Sequence, residues 1–319
     1  MGEEAGVEFL EVRDFRFQQV EKMTTNQTSL ANKFEQFCKN IRISEENETS
    51  ISIYYWNITK RLNKDFWNTE SNTSHSLYVG SYGRDTDILV SDIDMIMSLP
   101  WKVFTQYDWY THNWQSSLLN AVKESLKKTY PTSHIKGDWQ VVQINFSDGI
   151  TFEIVPWFEF DDGSFYYPDT NNWWSWKTTK PRAEKKEIKE KNDMRNWNLK
   201  NLCRMIRARK THCNIPIGWL LVDTFAYNFL KDREYKDKSF YYYDRMVESF
   251  FEYLKELNED QEYRLAPWSN QRANRKWKFN YKATQAYNAI QKAIEYEENE
   301  MPYSANNKRK EIFGSKFTW

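Results

Sequence analysis

The sequence predicts an α+β fold in which a mixed β-sheet with flanking helices packs on a C-terminal helical half. Two observations carry this prediction. Alternating apolar residues, which are typical of strands, are confined to the middle of the chain, over about 76–98 and 139–158. From Pro181 onward, apolar residues recur at helical spacing instead. We therefore predict a first unit over residues 1–175 and a helical unit over 176–319.

The part of the chain before the sheet is predicted to be helical. A helix over 24–42, capped by Thr25 or Asn26, aligns apolar side chains on one face. These side chains are Leu30, Phe34, Phe37 and Ile41. A second helix is predicted over about 45–66, before the polar segment 68–74.

The predicted sheet region begins with two short β-rich runs, at 76–79 and 92–98, around a glycine turn. A helix is predicted near 105–128. Apolar residues then alternate on both sides of 147–149, which has the sequence Ser-Asp-Gly. This pattern indicates a β-hairpin.

The C-terminal half is predicted to consist of helices over about 181–213, 216–231, 244–257 and 281–299. Pro216, behind Asn214, suits the start of the second of these helices. The segment 177–210 holds 13 basic and four acidic residues, so its net charge is +9 in a chain that is neutral overall. This segment is either an anion-binding surface or a solvated helix face.

Composition excludes several classes of protein. No stretch approaches the roughly 18 consecutive apolar residues of a membrane helix, and the N-terminus lacks the pattern of a secretory signal. The three cysteines cannot form a disulfide framework, so we expect a cytoplasmic protein. His212 and Cys213 lack the second ligand pair of a zinc site. Zero net charge argues against bulk electrostatic affinity for nucleic acid.

A glycine-bounded turn follows the first predicted strand. Two of only nine glycines, Gly80 and Gly83, flank Ser81 there. A Gly-Ser turn after a strand lets the backbone approach a ligand closely and offers N–H groups to an anion. The turn is therefore a candidate phosphate-binding element.

A pair of aspartates lies eleven residues beyond that serine. Asp92 and Asp94 are alternate residues of a predicted strand, so their carboxylates point to one face. Two like charges this close are costly unless a cation neutralises them, and hard oxygen ligands suit Mg²⁺. A solvated strand face that carries two acids is the alternative.

A third acid lies on a later strand. Glu153 is a carboxylate in an otherwise apolar strand, where it is either half exposed or a third metal ligand. Glu159 and Asp161 are rival candidates, but they lie past Pro156 in a more acidic, loop-like stretch.

Together, the strand, the Gly-Ser turn, the DxD strand and the later acid resemble the DNA polymerase β-like nucleotidyltransferases. Within that superfamily the sequence is similar to the bacterial cGAS/DncV-like nucleotidyltransferases (CD-NTases, the SMODS group). The similarity is carried by YVGSYGRDTDILVSDIDMIMSLP, FEIVPWF, NLCRMIRARK and PIGWLLVDTFAYNFL, and it covers roughly 45–317.

The resemblance implies a catalytic site. Asp92, Asp94 and Glu153 are then the catalytic residues and hold two Mg²⁺ ions, with Mn²⁺ as an alternative. One ion would lower the pKa of a ribose hydroxyl, and the other would stabilise the leaving pyrophosphate. Gly80 and Ser81 would orient the β- and γ-phosphates of the donor, and Glu153 would assist deprotonation.

The first helix of the C-terminal half supplies an independent clue. Its apolar stripe consists of Leu199, Cys203, Ile206 and Lys210. A lysine at the end of an apolar row either snorkels to the rim, favoured by the helix dipole, or reaches into a cleft. The resemblance implies that this lysine binds the donor triphosphate. Arg204 and Arg207 are further candidate nucleotide-binding residues, although their face could be solvated.

Three positions depart from the family pattern. Many relatives carry Asp where this chain has Glu153, and the extra methylene is compatible with metal binding. Asp85-Thr86-Asp87 replaces a commoner Gly-Thr pattern. Gly218 lies where relatives often offer a hydroxyl, which puts one part of triphosphate binding in doubt.

The function implied by the resemblance is the joining of nucleoside triphosphates into a cyclic di- or trinucleotide second messenger, with release of pyrophosphate. The product would activate a separate effector in bacterial anti-phage (CBASS) signalling. We expect no nucleic-acid template and no membrane, and a regulatory protein partner is compatible with the family. The alternatives are an oligoadenylate synthetase-like or RNA-tailing enzyme with linear products, and a catalytically dead nucleotide-binding sensor.

Overall fold

The computed structural model describes residues 29–108, 114–138, 140–160, 165–169, 175–275 and 278–318. Helix α1 occupies 29–40 of this part, and the beginning of the predicted 24–42 helix lies outside it. Helix α2 (Glu45–Leu62) continues as a π-helical turn over Asn63–Trp67. Both N-terminal helices are thus where the apolar spacing predicts them.

A seven-stranded sheet follows. Its strands are β1 (Ser76–Tyr78), β2 (Ile93–Ser98), β3 (His134–Asp138), β4 (Val141–Asn145), β5 (Thr151–Glu159), β6 (Phe165–Asp169) and β7 (Ser175–Thr179). The main path runs β1-β2-β5-β4-β3, and β6 pairs with both β5 and β7. Strands β2 and β5 are parallel, whereas the other pairs are antiparallel. The predicted mixed sheet is therefore confirmed.

The hairpin predicted at 147–149 joins β4 to β5. Phe146 N–H donates to the carbonyl of Ile150 (2.9 Å), and Gly149 has φ +86°, a left-handed conformation that favours glycine. The side chain of Asp148 accepts a hydrogen bond from the Ile150 N–H (3.1 Å). This turn fixes the register in which β5 returns beside β4.

Three helices lie between strands of the sheet. The segment predicted as a glycine turn forms a short helix, α3 (Gly80–Arg84). Of the helix predicted near 105–128, the structure describes α4 (Trp101–Asp108), which begins earlier than predicted, and α5 (Trp114–Lys127), and the residues 109–113 lie outside the described part. Buried side chains of α2 and α5, such as Ile58 and Val122, belong to the same apolar core as β2, β4 and β5.

The C-terminal half contains α6 (Pro181–Asp193), α7 (Asn198–His212), α8 (Trp219–Phe229), α9 (Tyr243–Lys255), α10 (Asn280–Glu298) and α11 (Pro302–Phe313). A 3-10 turn (Phe240–Tyr242) precedes α9, and a small hairpin of β8 (Tyr263–Leu265) and β9 (Arg272–Asn274) lies between α9 and α10. The predicted helical character is confirmed.

Two helix boundaries in this half were predicted wrongly. The helix predicted over 181–213 breaks between α6 and α7, where Trp197 is left-handed (φ +66°). Asn192, which lies in α6 before the break, caps the start of α7, because its side-chain oxygen accepts from the Lys200 N–H (3.0 Å). Helix α8 does not begin at Pro216 but three residues later, since Ile217 N–H donates to the Ile215 carbonyl (2.8 Å) and closes a tight turn around the proline.

Helix α1 packs on the C-terminal half. The ring of Phe37 lies 4.9 Å from that of Phe313, and the ring of Phe34 lies 5.3 Å from that of Phe317. These side chains share one apolar core with α7 to α11. The division of the chain at 175/176 stays a prediction. Within the described residues, no helix combines the length and the apolar character needed to cross a membrane.

Candidate active site

The acidic residues are brought together by the two parallel strands at the centre of the sheet. Asp92 directly precedes β2, Asp94 is its second residue, and Glu153 is the residue of β5 that pairs with Asp94. Ile93 and Met95 point the other way and are fully buried. Because side chains alternate along a strand and parallel neighbours share a face, one face of the sheet presents all three carboxylates.

The three carboxylates form a compact group. Their oxygen atoms lie within 4.8 Å of one another, and all three residues are half-buried. Gln143 on β4 donates from Nε2 to Glu153 Oε1 (3.1 Å), which orients that carboxylate. In the described parts of the chain this is the one cluster of three His, Cys, Asp or Glu side chains with the spacing of a metal site.

Burial and like charges disfavour the ionised form of these carboxyl groups. Burial and the neighbouring charges of Asp92 and Glu153 raise the pKa of Asp94 to about 7, although Arg84 and Arg207 oppose the shift. Burial also raises the pKa of Asp92, against the opposing charges of nearby basic side chains. The nearby arginines therefore do not fully compensate the acids, as expected of a site completed by a cation.

Helix α3 packs directly on these acids. Gly80 is left-handed (φ +60°), and a Cβ at this position would lie 2.6 Å from Cγ of Asp94. A Cβ on Gly83 would lie 2.5 Å from the carbonyl oxygen of Tyr78. Both glycines are therefore required by close approach, and Ser81 between them is buried. The glycine-bounded segment therefore lies directly against Asp94.

Lys210 lies in the last turn of α7. The other members of its predicted stripe are buried, whereas Lys210 itself is half-buried. Its Nζ lies 3.8 Å from the centroid of the Trp219 ring. Burial and the charge of Arg207 lower the pKa of Lys210, and Asp92 opposes the shift. The lysine is thus close enough to the acids to interact with them electrostatically; its role in triphosphate binding stays a prediction.

Arg204 and Arg207 are buried rather than solvated, at 3% and 2% exposure. Arg204 Nη2 donates to the backbone carbonyl of Asp85 (2.6 Å) and to its carboxylate. Arg207 donates from Nε and Nη2 to the two carboxylate oxygens of Asp223 (3.1 and 2.8 Å). Both arginines are thus engaged in ion pairs within the protein, and nucleotide contact by either stays a prediction.

Sequence reasoning missed Asp223 and Arg84 beside the site. Asp223 is fully buried in α8 and accepts from two arginines, Arg84 and Arg207. The signal was present, because an acid in the apolar helix WLLVDTFAYNF requires a buried partner. Of the rival acids, Glu159 ends β5 and pairs with Arg182, and Asp161 lies outside the described residues.

The chain matches the profile of a protein family that is described as the Second Messenger Oligonucleotide or Dinucleotide Synthetase domain, SMODS, over residues 28–192. The matched region contains α1 to α6 and the whole sheet, and thus all three acids and the glycine-bounded helix. No curated protein matches the sequence.

The fold is similar to those of several solved bacterial proteins. CdnC of E. coli MS115-1, in complex with HORMA-deltaN, superposes with a TM-score of 0.67 at 15% identity, over 90% of this chain and 98% of that chain. CdnG of Bradyrhizobium diazoefficiens, a CD-NTase in complex with GTP, gives 0.64 at 10% identity, over 89% and 94%. The apo form of Vibrio cholerae DncV gives 0.61 at 13% identity, over 100% and 92%.

These similarities confirm the predicted polymerase β-like nucleotidyltransferase fold, a mixed sheet with flanking helices. The family match covers more than half of the chain and includes every strand of the seven-stranded sheet. This protein therefore belongs to the SMODS family of second messenger oligonucleotide or dinucleotide synthetases and is a nucleotidyltransferase.

Proposed function

We propose that this nucleotidyltransferase joins nucleoside triphosphates into a cyclic di- or trinucleotide and releases pyrophosphate at each step. The observation that carries the proposal is the position of the acids Asp92, Asp94 and Glu153 against the glycine-bounded helix α3. A polyanionic substrate that binds here would meet the backbone of α3 on one side and the clustered carboxylates on the other. This combination suits metal-assisted phosphoryl transfer.

The donor set fits a hard divalent cation. All three side chains offer carboxylate oxygens, these lie within 4.8 Å of one another, and the protein leaves their charge incompletely compensated. We propose that Asp92, Asp94 and Glu153 hold Mg²⁺, or Mn²⁺, during the reaction. Bound divalent ions would supply charge neutralisation at the phosphates, a lower pKa for the ribose hydroxyl and stabilisation of the leaving pyrophosphate.

The remaining roles belong to side chains and backbone of this chain. Gly80 and Ser81 would receive the β- and γ-phosphates of the donor, because the absence of a Cβ at residue 80 lets the backbone of α3 lie directly against Asp94. Lys210 would offset the charge of the triphosphate, since it is close enough to Asp92 to interact with it electrostatically. Glu153, oriented by Gln143, would accept the proton of the attacking ribose hydroxyl.

The proposed substrates and partners follow from the chemistry of relatives. CdnC has been solved with ATP and CdnG with GTP, so ATP and GTP are the first substrates to test. CdnC also forms a complex with HORMA-deltaN, which supports a regulatory protein partner here. We place the enzyme in the cytoplasm, in bacterial anti-phage signalling, where its product would activate a separate effector without a nucleic-acid template.

One observation disfavours an RNA-tailing enzyme, the nearest alternative. A basic track along the segment 177–210 would serve RNA binding, but several of its cations are paired within the protein. Lys200 and Arg204 bind Asp85, and Arg207 binds Asp223. A dead sensor is disfavoured by the presence of all three acids in the geometry of a metal site.

The test is product identification. The full chain is incubated with four radiolabelled nucleoside triphosphates and Mg²⁺, and the phosphatase-resistant product is analysed by mass spectrometry. We expect a circular product whose mass equals the sum of its nucleoside monophosphates less one water for each linkage. A linear product, which carries a terminal triphosphate before phosphatase treatment and loses it afterwards, would support the tailing or oligoadenylate synthetase-like alternative. Absence of pyrophosphate release with both Mg²⁺ and Mn²⁺ would support the sensor.

A further inference from the structure

The end of α3 and the residues directly after it connect the sheet to the helical half by ion pairs and a hydrogen bond. Arg84, the last residue of α3, donates from Nε to Asp223 Oδ2 (3.1 Å) on α8 and from Nη1 to Glu184 Oε2 (3.3 Å) on α6. Thr86 Oγ1 donates to the same oxygen of Asp223 (2.9 Å). These groups are buried, so neither solvent nor salt weakens the contact much.

Asp85, between Arg84 and Thr86, is an anion that pairs with cations. Asp85 Oδ2 accepts from Lys200 Nζ (2.8 Å), and its Oδ1 and backbone carbonyl accept from Arg204. Arg42, which follows α1, lies 3.6 Å from the same carboxylate. Burial favours a raised pKa for Asp85, but the charges of Arg204 and Lys200 outweigh it and lower the pKa.

The backbone at this point is adapted to the contacts. Asp85 is the C-cap of α3 and is left-handed (φ +57°), a conformation in which Asp and Asn are the best tolerated residues after Gly. The carboxylate at this position is compensated by the group of cations from α7 and the end of α1.

The segment thus presents alternating charge to the helical half. We call the resulting set of contacts the interlobe latch, and it consists of Arg84, Asp85, Thr86, Lys200, Arg204 and Asp223. A cation of the sheet half meets an anion of the helical half, and an anion of the sheet half meets two cations. Such reciprocal pairs fix one relative position, because a shift in either direction brings like charges together.

We propose that Asp85 is a positioning residue, which through the interlobe latch sets the distance between helix α3 and helix α7 and thereby the affinity for the donor triphosphate. The inference rests on the proposed function, which assigns the start of α3 and Lys210 of α7 to the same donor triphosphate. If α7 moves away from α3, the lysine and the glycine-bounded segment no longer span the same phosphates.

The test uses Asp85→Asn and Asp85→Gly. Both variants remove the carboxylate, and both residues tolerate the left-handed backbone, Gly better than Asn. We measure the dissociation constants of ATP and of GTP with Mg²⁺ by calorimetry, together with KM and kcat for pyrophosphate release. We expect both variants to bind the preferred triphosphate about tenfold more weakly and to raise KM similarly, with kcat at saturation changed less than about threefold.

Asp244→Asn is the matched control. Like Asp85, Asp244 pairs with a buried arginine: Arg309 donates to its carboxylate from Nε (3.1 Å) and Nη2. Both partners belong to the helical half, however, and neither takes part in the interlobe latch. We expect this variant to lower the unfolding temperature and to leave the dissociation constants unchanged.

Three results would overturn the inference. Unchanged triphosphate affinity in both Asp85 variants would do so, whatever their unfolding temperatures. An equal loss of affinity in Asp244→Asn would reduce the effect to general stability of the helical half, and a fall in kcat at constant affinity would place Asp85 outside donor positioning. Calorimetry measures binding without turnover. If the wild type proves inactive but the Asp85 variants bind the triphosphate more weakly than the wild type does, the interlobe latch is supported and the proposed function is rejected.

Discussion

On the sheet side of the candidate site, three carboxylates lie within 4.8 Å of one another, and burial together with like charges raises the pKa of Asp94 to about 7. On the helical side, two arginines are more deeply buried, yet each has a carboxylate as its partner. Arg204 binds Asp85, and Arg207 binds Asp223. The arginines are thus compensated by carboxylates of the chain, whereas the three acids are compensated only in part.

This difference distinguishes residues that can bind a ligand from residues that hold the structure around them. An uncompensated cluster costs free energy in the empty protein, and that cost is recovered when a cation binds. A compensated cluster is costly only when one partner is removed, which is the behaviour of a structural contact. We therefore propose that the acids of β2 and β5 take part in the chemistry and that the ion pairs of the α7 arginines support the structure of the site.

Among the single substitutions, the largest effect should come from Gly80→Ala, which tests how closely α3 must approach the acids. The added Cβ would collide with Asp94, and the left-handed backbone alone disfavours alanine by roughly 1–2 kcal/mol. We expect incorporation of nucleotides to fall on the order of 10²-fold, because donor and acids are misplaced relative to each other.

Gly137→Ala on β3 is the matched control for this substitution. Its added Cβ would find its nearest neighbour, Leu119, at 4.0 Å. We expect wild-type activity and an unchanged or slightly higher unfolding temperature. If Gly80→Ala retains full activity, the close contact between α3 and Asp94 is irrelevant to the reaction.

An intermediate effect is expected from pH, which tests whether the acids lack compensation. Because the pKa of Asp94 is raised from 3.8 to about 7, the folded carboxyl holds its proton below pH 7, and Mg²⁺ must displace it. The apparent Mg²⁺ affinity should therefore weaken as pH falls below about 7, by up to about tenfold per unit.

The measurement is a Mg²⁺ titration of pyrophosphate release at pH 6, 7 and 8. The sign is also visible in stability: without metal, the folded state binds the proton more tightly, so the free energy of unfolding should decrease as pH rises from 3.8 to about 7. A Mg²⁺ dependence that is the same at all three pH values would mean that the carboxylates are already compensated.

The smallest effect is expected from Lys210→Met, which asks whether a half-buried cation of the helical side serves the ligand. We expect KM for the donor triphosphate to rise about fivefold with kcat nearly unchanged, since one partly exposed charge contributes modestly. Lys255→Met is the control, because Lys255 Nζ lies 3.6 Å from the centroid of the Tyr287 ring in a similar contact away from the acids. Equal KM values for Lys210→Met and the wild type would mean that Lys210 has a structural role and does not bind the donor triphosphate.

The acids could be predicted from the sequence because short-range geometry decides their position. Asp92 and Asp94 share a face through the two-residue period of a strand, and Glu153 is set by the hairpin at Gly149. The exact pairing of Asp94 with Glu153 depends on a parallel register between strands far apart in sequence, which alternation alone does not specify.

The arginines illustrate what local patterns do not reveal. Arg204 is paired with a residue 119 positions away, so its burial was invisible to helical spacing, which allowed a solvated face. The break before α7 was missed for a similar reason, since its cap is the side chain of Asn192 rather than a residue at the helix start. Long-range pairing of charged and polar groups decided both features.

The most direct test of the account is the double variant Asp92→Ala/Asp94→Ala, compared with the wild type and with Glu159→Gln, an acid at the far end of β5. Consumption of labelled nucleoside triphosphates is measured with Mg²⁺, and circular dichroism verifies that each variant is folded. The account predicts a folded double variant with a loss of at least about 10³-fold and a Glu159→Gln variant with normal activity. A folded double variant that still consumes nucleoside triphosphates at the wild-type rate would contradict it.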